Sequence, residues 1–231
     1  MKSIQLSDVN LLIDKIATGR HRIIVDEPVQ NRVSAALIGQ HISEHPYFQG
    51  TVSATSAEVL ISKDISSEQL YAELKKIKFK PNRKSKNYNL PIYFENGSDW
   101  HDVEEKLGLS REAIINKLIQ SQITVASFGF LPGFVYLEGL PDDIHCKRKT
   151  TPAKHVAAGS FGLGGPYAGI YHIASPGGWN IIGNCPIQLF DSNTFECPIK
   201  VNDRFIIKSI MAEEYETLKA RPVTIEKYQK K

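Results

Sequence analysis

Residues 159–184 read GSFGLGGPYAGIYHIASPGGWNIIGN. Apolar segments of a few residues alternate here with Gly and Pro. They are too short for helices and are interrupted where a strand would turn. The same grammar runs from Val125 onward and indicates a β-barrel or sandwich with long connecting loops. Within it, Ser175, Pro176, Gly177, Gly178 and Trp179 form one unit. Pro176 presets a turn, the glycine pair allows close backbone approach, and Trp179 is a large flat surface with one donor. Two readings follow from these residues: a tight turn carrying a core tryptophan, or the wall of a ligand pocket.

Working outward, glycine usage divides the chain. Eleven of the sixteen glycines lie between Gly129 and Gly183, and the first 100 residues hold four. The amino-terminal part reads as mixed α/β. Pro28 suits a first helical turn, followed by Val29, Val33, Leu37 and Gln40 at helical spacing. VSATSAEVLI, residues 52–61, reads as strand material, rich in Val, Thr and Ile. Ser66 and Gln69 form a capping box ahead of Leu70, Leu74 and Ile77, and Pro81 ends that helix. The basic run KKIKFKPNRKSK, residues 75–86, carries seven cations. A solvated linker explains it better than an RNA- or phosphate-binding stripe. Beyond it come a short strand, LPIYF (residues 90–94), a helix opened by Ser98 or Asp99, and a second helix capped by Ser110. The expected layout is α+β: an amino-terminal α+β domain over residues 1–85 and a β-barrel domain over residues 86–231.

Composition excludes several classes. At 231 residues, 42% hydrophobic and 23% charged, the chain suits a soluble protein of one large or two small domains. It has no apolar run of the roughly 18 residues a membrane span needs. Its start, MKSIQLSDVNLLIDKI, lacks the pattern of a secretory signal. Cys146, Cys185 and Cys197 are three in number without CxxC spacing, so a reducing cytoplasm is expected. A net charge of +3 is too small to imply nucleic acid. GSFGLGG matches neither a P-loop, a nucleophile elbow nor a dinucleotide fingerprint. His145, Cys146, His155, His172, Cys185 and Cys197 match no zinc spacing, so no metal site is expected.

FGFLPGFVYLEGLP (128–141), TPAKHVAAGSFGLGG (151–165), GIYHIASPGGWNIIGNCPIQLFD (169–191) and VNDRF (201–205) occur in this order. Together they resemble the family of the 5-oxoprolinase B subunit, also called the KipI or allophanate hydrolase subunit 1 family. The resemblance spans roughly residues 29–207. It implies that the second domain is a cyclophilin-like barrel, of the carboxyltransferase subdomain C type. It also implies pairing with a second cyclophilin-like subunit, the 5-oxoprolinase C subunit. With a separate A subunit the pair would open 5-oxo-L-proline to L-glutamate using ATP. A KipI-like inhibitor of a sensor histidine kinase, or a subunit in urea and allophanate metabolism, are the alternatives within the resemblance.

The resemblance also assigns roles. Phe130, Leu131, Pro132, Gly133, Phe134 and Tyr136 would form an aromatic loop at the pocket mouth. Gly159 and Ser160 would offer anion-binding donors, Ser175 to Trp179 the facing wall, and Arg148 a carboxylate or phosphate contact. Catalytic residues are not assigned. The chain departs from the family at Ala153 and Asn184, where arginines are usual, and at Ala157 and Cys185. Neither Ala nor Asn replaces a bidentate anion contact.

Overall fold

The computed structural model describes residues 2–6, 9–25, 35–50, 52–54, 58–77, 85–131, 133–191, 194, 197–221 and 223–230. The chain divides into two compact units, one of residues 1–84 with 126–128 and one of residues 85–125 with 129–231.

The first unit is an antiparallel five-stranded sheet with two helices. Its strands are β1 (Lys2–Leu6), β2 (Val9–Ala17), β3 (Arg20–Val25), β4 (Val52–Ala54) and β5 (Glu58–Ser62), ordered β1-β2-β3-β5-β4. Alternation at period two buries Leu11, Ile13, Ile23, Val59 and Ile61. Helix α1 (Ala35–Glu44) buries Ile38 and Ile42, and α2 (Ser67–Leu74) buries Leu70 and Leu74, pairs spaced i, i+4. The expected capping box is present. Ser66 Oγ accepts from Gln69 N at 3.1 Å, and Gln69 Oε1 accepts from Ser66 N at 2.9 Å. The strand material of residues 52–61 falls in two paired strands, β4 and β5: Val52 pairs with Ile61 and Ala54 with Val59. β-propensity is similar on both arms, so it carries no mark of the reversal. Pro28, Val29, Val33 and Pro81 lie outside the described residues.

The second unit opens with β6 (Asn87–Ile92), α3 (Trp100–Leu107), α4 (Arg111–Gln120), the start of β7 (Ile123–Phe128, whose residues 126–128 group with the first unit) and β8 (Val135–Glu138). Short strands follow: β9 (Ala153–Val156), β10 (Ser160–Gly164), β11 (Tyr167–Ile170), β12 (Ser175–Gly177) and β13 (Asn180–Asn184). β14 (Arg204–Ser209) and α5 (Ala212–Ala220) come next. Seven strands form one sheet in the order β13-β10-β11-β8-β7-β14-β6, and β9 pairs with β12 in a separate ribbon. β14 runs parallel to β6 and antiparallel to β7. The sheet curls into a half-barrel whose edges meet at one corner. There Tyr93, just after β6, donates its N–H to Asn184 O at 2.8 Å, and Asn184 N donates back at 3.0 Å. The fold is therefore mixed α/β, with the β-rich half where the glycines concentrate.

Asp99 and Ser110 illustrate two fates of a predicted cap. Ser110 Oγ accepts from Ala113 N at 3.3 Å, as expected. Asp99 holds the cap position of α3 but makes no capping bond. Its carboxylate instead accepts from Ile181 N at 2.6 Å and pairs with Lys149 Nζ at 2.6 Å. A half-buried charge gains more from an ammonium and a strand amide than from one exposed helix N–H. Asp99 thereby pins α3 to β13. Among the described residues, no helix is long and apolar enough to cross a membrane.

Candidate functional site

A cleft of about 750 Å³ opens in the second unit where the turn before β10 meets the end of β13 and helix α5. Gly159, Ser160, His172, Asn184, Phe190 and Lys219 contribute to its lining. Backbone bonds clamp the turn: Gly159 N donates to Tyr171 O at 2.5 Å, and Cys185 N donates to Gly159 O at 2.7 Å. Ser160 N donates to Ala157 O at 3.2 Å. The backbone N–H groups of Gly159 and Ser160 are thus engaged within the protein. A nest requires N–H groups that converge on open space, and here they close the strand-to-turn junction. Asn184 is similarly occupied. Its Nδ2 donates to Ala158 O at 3.1 Å and its Oδ1 accepts from Tyr215 Oη at 3.2 Å. Tyr215 in turn stacks on Tyr93, with centroids 4.8 Å apart.

Two polar side chains of the described lining stand out. His172 Nδ1 is buried without a hydrogen-bond partner among the described residues, and its ring stands edge-on to Phe190 at 4.9 Å. Burial pushes the His172 pKa below its ordinary 6.5, so the ring is neutral at pH 7. Lys219, in the last turn of α5, is the one charged side chain in the described lining, with its ammonium 5.5 Å from the Tyr215 ring centroid. Cys185 also lines the cleft, but burial pushes its thiol up to about 12, which removes it as a nucleophile at neutral pH. Among the described residues no three His, Cys, Asp or Glu side chains are grouped to hold a metal ion.

The aromatic residues picked out in the sequence form the adjoining interior. Phe134, at 1% exposure, meets Tyr136, Tyr171 and Trp179 edge-on at 5.0, 5.0 and 5.4 Å. Trp179 is 4% exposed and lies across Gly164, where a Cβ would fall 2.5 Å from its ring. Arg148 covers this tryptophan from outside, its guanidinium carbon 5.5 Å from the ring centroid. Ser175, Pro176, Gly177, Gly178 and Trp179 do not line the cleft, nor does Arg148. Of the sequence-selected residues, Gly159 and Ser160 line it directly, and Gly133 packs behind Phe190, which lines it. Phe130 is exposed at the tip of its loop with φ 66°. Pro132 lies outside the described residues.

The glycine pair can be resolved by position. A Cβ at Gly177 would sit 2.8 Å from Cε1 and Cζ of the buried Tyr171 ring, whereas one at Gly178 meets nothing nearer than Pro152 Cγ at 3.7 Å. Gly177→Ala is therefore expected to cost about 1–3 kcal/mol through overpacking, and Gly178→Ala to stay within about 0.5 kcal/mol. Urea midpoints of the two variants check this; equal losses would refute it.

Sequence reasoning missed His172 as a cleft residue, together with Phe190, Tyr215 and Lys219. His172 and Phe190 lie within the quoted stretch 169–191 without a spacing that singles them out, and α5 reaches the cleft through Tyr215, which packs on Tyr93 and bonds Asn184.

Residues 22–199 match the family model described as carboxyltransferase domain, subdomain C and D. Over 128 residues the chain is 41% identical to the 5-oxoprolinase B subunit of Haemophilus influenzae, covering 54% of this chain and 58% of the relative. Over 109 residues it is 38% identical to the 5-oxoprolinase B subunit of Escherichia coli O157:H7, covering 46% of this chain and 50% of the relative. These matches span about half the length of the curated relatives. The crystal structure of TTHA0988 superposes with a TM-score of 0.70 at 22% identity, over 84% of this chain and 40% of that one. The Kluyveromyces lactis urea amidolyase superposes with a TM-score of 0.67 at 19% identity, over 99% of this chain and 16% of that one.

Proposed function

Because this chain belongs to the carboxyltransferase-domain family, subdomains C and D, we propose that it is the B subunit of an ATP-dependent 5-oxoprolinase. In this reading it opens 5-oxo-L-proline to L-glutamate in the cytoplasm, together with a second cyclophilin-like subunit and a separate A subunit. Its own domains would be residues 1–85 and a cyclophilin-like barrel over residues 86–231. The observation that carries the reading is the 41% identity to a protein named as a 5-oxoprolinase B subunit.

The cleft suits part of that task. Its volume lies within the roughly 300–1,000 Å³ of small-molecule sites, and its lining combines apolar walls with few polar groups. It does not suit ATP. Among the described residues its lining holds no carboxylate to take magnesium and only one cation, and the amides of Gly159, Ser160 and Cys185 are engaged internally. ATP is therefore placed outside this cleft. The aromatic loop from Phe130 to Tyr136, the Ser175–Trp179 segment and Arg148 are proposed to shape and support the neighbouring surface.

Co-expression with the candidate C subunit, followed by addition of the A subunit, tests the reading. The complete complex is expected to hydrolyse ATP only when 5-oxoproline is present, and this chain alone to show no such activity. Turnover by the isolated chain would overturn the dependence on partners. A complete complex without 5-oxoproline-dependent ATP hydrolysis would overturn the oxoprolinase reading in favour of a regulatory, kinase-binding one.

A further inference from the structure

We propose that the cleft is a carboxylate site in which the Lys219 ammonium anchors the acid group of a small cyclic amide and His172 Nδ1 meets the amide. The identity of that ligand as 5-oxoproline rests on the oxoprolinase reading; the acid-plus-amide chemistry rests on the cleft.

The sign of the site comes from its inventory. Among the described residues its lining contains one ammonium and no carboxylate, so an anion enters without like-charge repulsion and meets a single attractive centre. Among the described residues the defined contact of the exposed Lys219 ammonium is the Tyr215 ring at 5.5 Å, and its three N–H groups are donors. Tyr215 is itself held on both sides, by Tyr93 stacking and by its hydroxyl bond to Asn184, so the aromatic platform beneath the ammonium is fixed.

The valence of the anion comes from what is missing. A phosphate group is held by several converging N–H donors or guanidinium forks. Here Gly159 N, Ser160 N, Asn184 N, Cys185 N and Gln188 N all donate to protein carbonyls, and no arginine lines the cleft among the described residues. One ammonium suits one carboxylate. The second polar demand is His172, whose buried Nδ1 lacks a partner among the described residues. A neutral imidazole nitrogen donates or accepts according to its tautomer, so it complements the C=O or N–H of an amide and not a second charge. Phe190 and Ile187 supply apolar surface in the same lining. No bond is made or broken in this proposal; it concerns binding alone.

Two measurements test it. Calorimetric titration of the full chain compares 5-oxoproline with pyrrolidin-2-one, the same lactam ring without the carboxylate. Binding of 5-oxoproline is expected, with pyrrolidin-2-one at least about tenfold weaker, since a charge-assisted contact is lost. Lys219→Met should abolish the difference between the two and Lys219→Arg should retain most of it. No binding of 5-oxoproline by the wild-type chain, or equal binding by Lys219→Met, overturns the proposal. In the complete complex, Lys219→Met should raise KM for 5-oxoproline about tenfold or more and leave KM for ATP within about twofold. His172→Phe should raise KM for 5-oxoproline without altering the preference for the carboxylate. An active complex whose KM for 5-oxoproline ignores Lys219→Met overturns the proposal and leaves the oxoprolinase reading standing. An inactive complex with carboxylate-dependent titration does the reverse.

Discussion

Trp179→Ala is expected to lower the unfolding free energy by about 3–5 kcal/mol, the range for truncating a buried large aromatic. The tryptophan is 4% exposed and lies within a buried cluster of Phe134, Val156, Tyr171 and Ile181. It meets Phe134 and Tyr136 edge-on at 5.4 and 5.6 Å. Gly164 and Gly169 lie against its ring, and a Cβ at Gly169 would fall 2.7 Å from Trp179 Cζ3. Strand backbone does not collapse into the space left by an indole, so most of the cavity penalty persists. Arg148→Ala separates this role from a surface one. It removes an exposed cation–π contact worth about 0.5–1 kcal/mol and should change stability by no more than that. Urea denaturation followed by far-ultraviolet circular dichroism reads both variants. A Trp179→Ala midpoint equal to that of the wild type would show that the cluster is not what holds β10, β11 and β13 together.

Gly133→Ala should destabilise by at least about 2 kcal/mol and distort the cleft as well, because two independent costs combine. Gly133 has φ +79°, a left-handed conformation that costs other residues about 1–3 kcal/mol. Its missing Cβ would stand 2.6 Å from Phe190 Cβ, and the ring of Phe190 lines the cleft beside His172. Overpacking of this kind adds about 1–3 kcal/mol. A double-mutant cycle with Phe190→Ala divides the two. Removing Cγ and the ring takes away most of the clashing atoms but not the strain, so the pair should be less destabilised than the sum of the single variants. Strict additivity would show that Phe190 moves aside without cost. In the complete complex, Gly133→Ala should also weaken 5-oxoproline binding, because Phe190 is driven into the ligand space.

Features carried by neighbours in sequence were legible before the structure. The Ser66–Gln69 box, the Leu70–Leu74 pair and the Ser110 cap each depend on residues within four positions, and all three are present. The concentration of glycine and proline after Val125 marked the run of short strands for the same reason, since each interruption acts on its own backbone. Gly159 and Ser160, picked out in the sequence, line the cleft, and their amides are engaged within the protein. Tertiary structure alone decided the rest. The parallel pairing of β14 with β6 joins residues more than 100 apart, and the corner where Tyr93 meets Asn184 closes the sheet across a further long interval. The redirection of Asp99 from its helix to β13 and Lys149 arises from partners distant in sequence. Lys219 enters the cleft by the same route, through Tyr215 on α5. Such contacts are selected by the summed burial of whole faces and not by any local preference. A single sequence records the residues that can make them without recording which ones meet.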